Sequence, residues 1–360
     1  MENRVFNFNP GPATLPLSVL EKVQAELLNY QGEGLSILEM SHRSKAFDDI
    51  VNRAVESTKK VMGFGDQYTV LFLQGGATSQ FAAVPLNLAL EGKPTQYINT
   101  GSWSKKAIAE AQKLGFEPQV IASSAEDNFS HIPRSFTVDS NASYLHITSN
   151  NTIFGTQWQD YPDTGEVPLV CDMSSDLYCR RFNPNKFALI YAGAQKNAGP
   201  AGVTIVIIRN DMLERSHDDI PTILNYKIFA EKNSLYNTPN CFGIYVVGLV
   251  MDWILGQGGI DAVEKINRRK SEMIYETIDG TDFFRSTAAR DSRSMMNVTF
   301  RLPNEDLEKK FVSEATEAGL VGLKGHRSVG GIRASIYNAM PLAGVEALID
   351  FMKNFEKVNG

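Results

Sequence analysis

The sequence predicts an α/β protein: a large domain with a mainly parallel central sheet covered by helices, then a smaller α+β domain. Three features carry that expectation. Between Val70 and Ile208 short apolar runs alternate with helical patterns, as a parallel sheet buried on both faces requires. A helix that is apolar on every side then stops at Gly256-Gln-Gly-Gly259. Beyond it, helices and strands follow in α+β order. The expected large domain is 14–257, and 1–13 with 258–360 form the small one; 360 residues suffice for two cores.

In chain order, Asn9-Pro-Gly-Pro-Ala13 is not helical, because Pro10 and Pro12 fix φ and remove donors, and it is expected to enter the body as an extended arm. Residues 16–30 and 44–62 carry apolar side chains at helical spacing, and the loop between them ends in Ser41-His42-Arg43-Ser44. A strand at 70–73 leads through Gln74-Gly75-Gly76-Ala77-Thr78 into a helix expected over 81–90. A strand over 96–100 hands over to Gly101-Ser102-Trp103 and a helix over 104–114. The strand 144–147 ends towards Thr152, and the strand 167–171 ends at Asp172. An apolar strand over 187–192 is broken by glycines and Pro200 before the next apolar run, 203–208, so Lys196 is expected on a tight turn between two strands. Thr238-Pro239 reads as N-cap and first position of the all-apolar helix, which runs to Leu255. The small domain reads as helix 261–278, strand 295–302, helix 305–319, strands 321–323 and 332–336, and helix 344–358.

The chemistry gathers where strands end. A lysine held on a turn with few solvated neighbours loses proton affinity and becomes a usable nucleophile. Asp172 closes a neighbouring strand, and an acid facing a pyridinium nitrogen with a lysine facing an aldehyde is the pairing pyridoxal phosphate (PLP) enzymes need. The plain alternative is a solvated turn lysine and an aspartate that caps a helix before Met173-Ser174-Ser175. What favours the first reading is convergence, because Gly75 to Thr78, Trp103, Thr152, Asp172 and Lys196 all fall at the same sheet edge, where ligands of such folds bind. The glycines before a helix suit a phosphate, and Trp103 suits an aromatic ring. Arg43, Arg327 and Arg333, with His42 and His326, make a candidate pocket for carboxylate or phosphate; their alternative is a set of solvated surface charges.

Composition narrows the partners. A net charge of −6 argues against nucleic acid, no apolar run is long enough for a membrane span, and the N-terminus lacks a secretory layout, so a cytoplasmic protein is expected. Five histidines and three cysteines show no metal spacing, and no metal is expected. Of Cys171, Cys179 and Cys241, only Cys179 is a candidate for the reactive thiol a cysteine desulfurase would need. A metabolite-binding protein without turnover is the rival from another class.

Nearly end to end, the chain resembles the phosphoserine aminotransferases, a class V PLP family with the aspartate aminotransferase-like fold (PLP fold type I). The segments that carry the likeness are Asn9-Pro-Gly-Pro-Ala13, Ser41-His-Arg43, Gln74-Gly-Gly76, Asp172-Met-Ser-Ser175, Tyr191-Ala-Gly-Ala-Gln-Lys-Asn197, Tyr236-Asn-Thr-Pro239 and, above all, Gly325-His-Arg-Ser-Val-Gly-Gly-Ile-Arg-Ala-Ser-Ile-Tyr-Asn338. The resemblance implies amino transfer between glutamate and 3-phosphooxypyruvate, with 4-phosphooxy-L-threonine as an alternative substrate. It implies Lys196 as the lysine that joins the cofactor, Asp172 as partner of its ring nitrogen, Trp103 on the ring and Thr152 near the phenolic oxygen. Ala77, Thr78 and Gln195 would bind the cofactor phosphate, with Asn237 and Thr238 from the neighbouring subunit of a homodimer. His42, Arg43, His326, Arg327 and Arg333 would receive substrate. Where some members carry an arginine after the paired glycines, this chain has Ala77-Thr78.

Overall fold

The computed structural model describes residues 4–360. Strand β1 (Phe6–Asn7) precedes helices α1 (Leu17–Glu26) and α2 (Lys45–Met62). Then come β2 (Tyr68–Leu73), α3 (Gly76–Leu88), β3 (Thr95–Asn99), α4 (Ser102–Lys113), β4 (Pro118–Ser123), β5 (Tyr144–Thr148), the small hairpin β6 (Asn150–Asn151) and β7 (Thr156–Gln157), β8 (Leu169–Asp172), β9 (Leu189–Gly193) and β10 (Thr204–Arg209). Short helices α5 (Asn210–Leu213) and α6 (Tyr226–Glu231) lead to α7 (Cys241–Gly256) and α8 (Ile260–Asp279). The C-terminal part adds β11 (Arg285–Ser286), β12 (Asn297–Arg301), α9 (Glu305–Glu317), β13 (Leu320–Val321), β14 (Ile332–Ser335) and α10 (Leu342–Asn359).

Seven strands form the central sheet in the order β2-β10-β9-β8-β5-β3-β4. The sheet is mainly parallel, as the alternation predicts. Only β10 runs against its neighbours β9 and β2. The reason is chain length: Gly193 pairs with Thr204, and the residues 194–203 between them are too few for a parallel crossover. Alternate residues along each strand feed opposite faces. Val70, Phe72, Ile190, Ala192, Ile205 and Ile207 join the core under α2 and α7, whereas Leu71, Leu73, Leu189, Tyr191, Val206 and Ile208 pack beneath α3 and α4. Both faces are thereby dry, and the polar strand ends are left as the place for chemistry. The second unit wraps the three-stranded sheet β11-β12-β14 around its own core, which includes Phe284, Val298, Phe300 and Phe311. β1 pairs in parallel with β13, Phe6 opposite Leu320, so the N-terminal arm is stitched to the C-terminal unit.

Several boundaries differ from the sequence expectation, and four of the differences have a local cause. α1 ends at Glu26 because the apolar stripe loses its cover there; Leu28 is 85% exposed. α3 begins at Gly76 rather than near Phe81, since Gly75 takes a left-handed conformation (φ +90°) and turns the chain into the helix at once. β4 is an addition to the sequence expectation: it is an edge strand opened by Pro118 with no buried residue, so it lacks the apolar run that announces a buried strand. α7 starts at Cys241, not at Thr238-Pro239, because the Asn240 side chain accepts from the Gly243 amide (2.8 Å) and caps it. No single helix among the described residues is long and apolar enough to cross a membrane.

Candidate active site

Asp172 closes β8 and is almost shut off from solvent, at 4% exposure. Its Oδ1 accepts from the Ser174 amide (2.9 Å), and its carbonyl accepts from the Ser149 amide (3.0 Å) and hydroxyl (2.9 Å). Burial raises the carboxyl pKa, while the Ser174 hydrogen bond and the charge of Lys196 act in the opposite sense. Lys196 stands on a single hydrogen-bonded turn in which the amides of Ala198 (3.1 Å) and Gly199 (2.8 Å) donate to the Ala194 carbonyl. Burial pulls its ammonium down from 10.5 to about 8; Asp172 pushes it back up and Arg333 lowers it further. The N-terminal arm closes this turn from outside. Ala13 donates its amide to the Gln195 carbonyl (2.9 Å), and a Cβ at Gly11, whose φ is +139°, would stand 3.4 Å from Lys196 Cγ.

A second chain of contacts joins the two units. Trp103, in the first turn of α4, donates Nε1–H to Thr152 Oγ1 (3.2 Å). Lys196 Nζ is 5.7 Å from the centroid of that indole. The Thr152 carbonyl accepts from Arg333 Nη1 (3.1 Å), which brings a β14 residue to the edge of the central sheet. Arg333 is buried, and its Nε has no partner. His326 and Arg327 stand on the preceding loop, where His326 Nδ1 pairs with Ser328 Oγ (2.7 Å). Glu308 of α9 fastens that loop by accepting from the Gly331 amide (3.1 Å) and pairing with Arg301, which donates to the Val329 carbonyl (3.0 Å). At the other end of the edge, Gly75 and Gly76 turn into α3, so Ala77 and Thr78 occupy its first turn, where amides lack helical acceptors.

A family model for aminotransferase class-V matches residues 5–348. The chain belongs to the class-V aminotransferase family. The phosphoserine aminotransferase of Desulfatibacillum aliphaticivorans is 59% identical over 361 residues, spanning 100% of both chains. The solved phosphoserine aminotransferase of Bacillus circulans subsp. alkalophilus superimposes with a TM-score of 0.97 at 50% identity, covering 99% of each chain. That of Trichomonas vaginalis, solved with PLP bound, gives 0.93 at 38% identity, covering 97% of this chain and 100% of its own. This chain is therefore an enzyme that transfers amino groups, on the scaffold of PLP fold type I.

Within this class-V aminotransferase, Lys196, Asp172, Trp103, Thr152, Gln195 and Arg333 meet in one chain, and His326 with Arg327 borders them. His42 and Arg43 do not join: they sit on the turn before α2, and neither makes a hydrogen bond or ion pair to that group among the described residues. Asn237 and Thr238 lie beside the glycine turn of their own chain, where Gln74 Nε2 donates to the Thr238 carbonyl (3.0 Å). Cys171 and Cys179 are buried, and burial pushes all three thiols up, so none has the character of a reactive thiolate. The sequence reading missed two contributors. Asn197 Oδ1 accepts from the Asn338 amide (2.9 Å) and ties the lysine turn to the chain after β14; nothing in local pattern announces a contact between such distant residues. Lys106 Nζ lies 4.4 Å from the Trp103 ring centroid, and the three-residue spacing of the two on a helix was a signal available in the sequence.

Proposed function

We propose that this class-V aminotransferase carries an amino group from L-glutamate to 3-phosphooxypyruvate, giving 2-oxoglutarate and O-phospho-L-serine, with PLP as cofactor. The observation that carries this is the charge of the site. In a chain of net charge −6, no carboxylate among the described residues pairs with Arg333 or His326, and His326 feels Arg333, Arg327 and Lys106. Such a pocket suits two substrates that each bring two or more negative charges.

The residues fit PLP. Arg333 Nε and Asn237 Oδ1 are buried without a hydrogen-bond partner among the described residues, Lys196 Nζ stands 5.7 Å from the Trp103 ring centroid, and α3 opens on two glycines. When bound, PLP supplies an aldehyde for amines and a ring that takes up the electron pair left as a substrate Cα loses its proton. Asp172 would keep the ring nitrogen protonated. The Lys196 amine, partly neutral near neutral pH, would lift the proton from Cα. Trp103 would lie against the ring, with Thr152 by the phenolic oxygen. Ala77, Thr78 and Gln195 would bind the cofactor phosphate, together with Asn237 and Thr238 of a second copy in a homodimer. His42, Arg43, His326, Arg327 and Arg333 would take the substrate's anionic groups. Because His42 and Arg43 stay outside their own chain's group, this reading brings them in from the second copy. The division into 14–257 and 1–13 with 258–360 is part of the same reading, and the β1–β13 pairing supports it.

Incubating the protein with PLP, L-glutamate and either 3-phosphooxypyruvate or pyruvate tests the proposal. Formation of 2-oxoglutarate should be far faster with the phosphorylated acid; equal rates would remove that substrate. The reverse assay with 4-phosphooxy-L-threonine as amino donor decides whether the pocket also serves vitamin B6 synthesis.

A further inference from the structure

Lys106 faces the candidate pocket from a different element than the arginines do. It follows Trp103 by three residues on α4, so one helical turn places both on the same side. Its Nζ rests 4.4 Å from the indole centroid, a cation–π distance, yet the side chain is exposed and makes no ion pair or hydrogen bond with any described residue. On the same helix Lys113 is paired with Glu110 at 2.6 Å, as a surface lysine usually is. On the loop before β14, His326 is pulled down first by burial, then by Arg333, Arg327 and Lys106, and no acid among the described residues offsets them. Two separate elements thus hold positive groups close enough to act on one another, and no acid among the described residues pairs with Lys106 or His326. Like charges so placed repel, and a dianion entering between them relieves that repulsion.

We propose that Lys106 is a specificity-determining residue that, with His326 and Arg327, binds the phosphate of the substrate. The inference rests on the phosphorylated-substrate reading above. Its chemistry complements the arginines: guanidinium forks grip two oxygens in a plane, whereas a lysine on a flexible stem follows the third. Lys106 takes no part in proton transfer at Cα.

The test compares holoenzyme carrying Lys106→Met, which keeps the stem over the indole and removes the charge, with Lys106→Arg and the parent. The preference in kcat/KM for 3-phosphooxypyruvate over pyruvate should fall about tenfold in Lys106→Met, the scale of one charge-assisted hydrogen bond, and return in Lys106→Arg. The loss should reside in KM for the phosphorylated acid rather than in kcat. By NMR the His326 imidazole should titrate at higher pH in Lys106→Met, a change that packing on Trp103 alone would not produce. An unchanged preference, or equal losses with both acids, overturns the assignment of Lys106. A parent enzyme with no preference for the phosphorylated acid instead overturns the substrate reading, and is seen before any variant is made.

Discussion

Arg333 reaches from β14 across to Thr152 and donates Nη1 to its carbonyl at 3.1 Å. One edge of the guanidinium is thereby used to fix its plane. Nε stays buried without a partner, no carboxylate offsets the charge, and burial pulls the pKa down. The arginine is held ready for an acid it does not find among the described residues of its own chain. Replacing it by lysine keeps a charge but loses the fork, so Arg333→Lys should lower kcat/KM for glutamate by roughly a hundredfold, about 2–3 kcal/mol. Steady-state kinetics with glutamate as donor measure this, and a loss under threefold would rule out a carboxylate bound at Arg333.

The lysine turn makes a pH prediction. The Lys196 ammonium falls from 10.5 to about 8, so in cofactor-free protein its neutral, nucleophilic fraction climbs with pH and levels off above about 8. An ordinary exposed lysine keeps gaining reactivity to about 10.4. PLP capture at Lys196, trapped with borohydride and located by peptide mapping, should follow the lower curve. Asp172 supports the charged form, so Asp172→Asn should shift the inflection to lower pH; Arg333 opposes it, so Arg333→Met should shift it to higher pH. Shifts in the reverse directions would show that the electrostatic account of this lysine is wrong.

The sequence placed Asp172, Lys196 and Trp103 well because strand ends are written in hydrophobic runs, and a residue that ends a run lands on the sheet edge. Direction is not written there, since an apolar run reads alike in either sense, and the reversal of β10 followed from the length of one connection. Residue type marked His42 and Arg43 as anion binders, but type carries no address, and neither meets the other cations in this chain. Long-range meetings such as Arg333 with Thr152 depend on how two cores dock. No local pattern encodes that.

Lys270 on α8 is fully buried, and its Nζ donates to the carbonyls of Ile336 (3.1 Å), Tyr337 (2.8 Å) and Met340 (3.1 Å). It thereby pins the segment carrying Asn338, whose amide holds Asn197 beside Lys196. Burial pushes its pKa down to about 7, below the 10.5 of a free lysine. The unfolded chain therefore binds the extra proton between about 7 and 10.5, and this residue's contribution to stability rises with pH across that window. Below about 7 the penalty of burying the charge is complete and the contribution is flat. Urea unfolding of parent and Lys270→Met from pH 6 to 9 should show a stability difference that moves in the parent's favour only above about pH 7. A difference independent of pH would mean that the three carbonyls hold the ammonium against its burial.

The position of Arg43 leads to a test with mixed dimers. Ser44 caps α2 by accepting from the Phe47 amide (3.2 Å), and the Ser44 amide closes the turn on the Ser41 carbonyl (3.0 Å), so His42 and Arg43 are carried on a defined turn rather than a loose loop. That turn leaves Arg43 exposed, with no hydrogen bond or ion pair to Lys196 or Arg333 among the described residues. If a two-fold partner brings it to the neighbouring pocket, Lys196→Ala disables the site in its own chain and Arg43→Ala disables the site in the other chain. Each variant alone should then be nearly inactive. In a mixed dimer both lesions fall on one site and the other site is whole. Random exchange makes half the dimers mixed, so a mixture should recover roughly a quarter of parental activity. Native mass spectrometry confirms the exchange, and mixed dimers that remain as inactive as either parent variant would place Arg43 outside the partner's pocket.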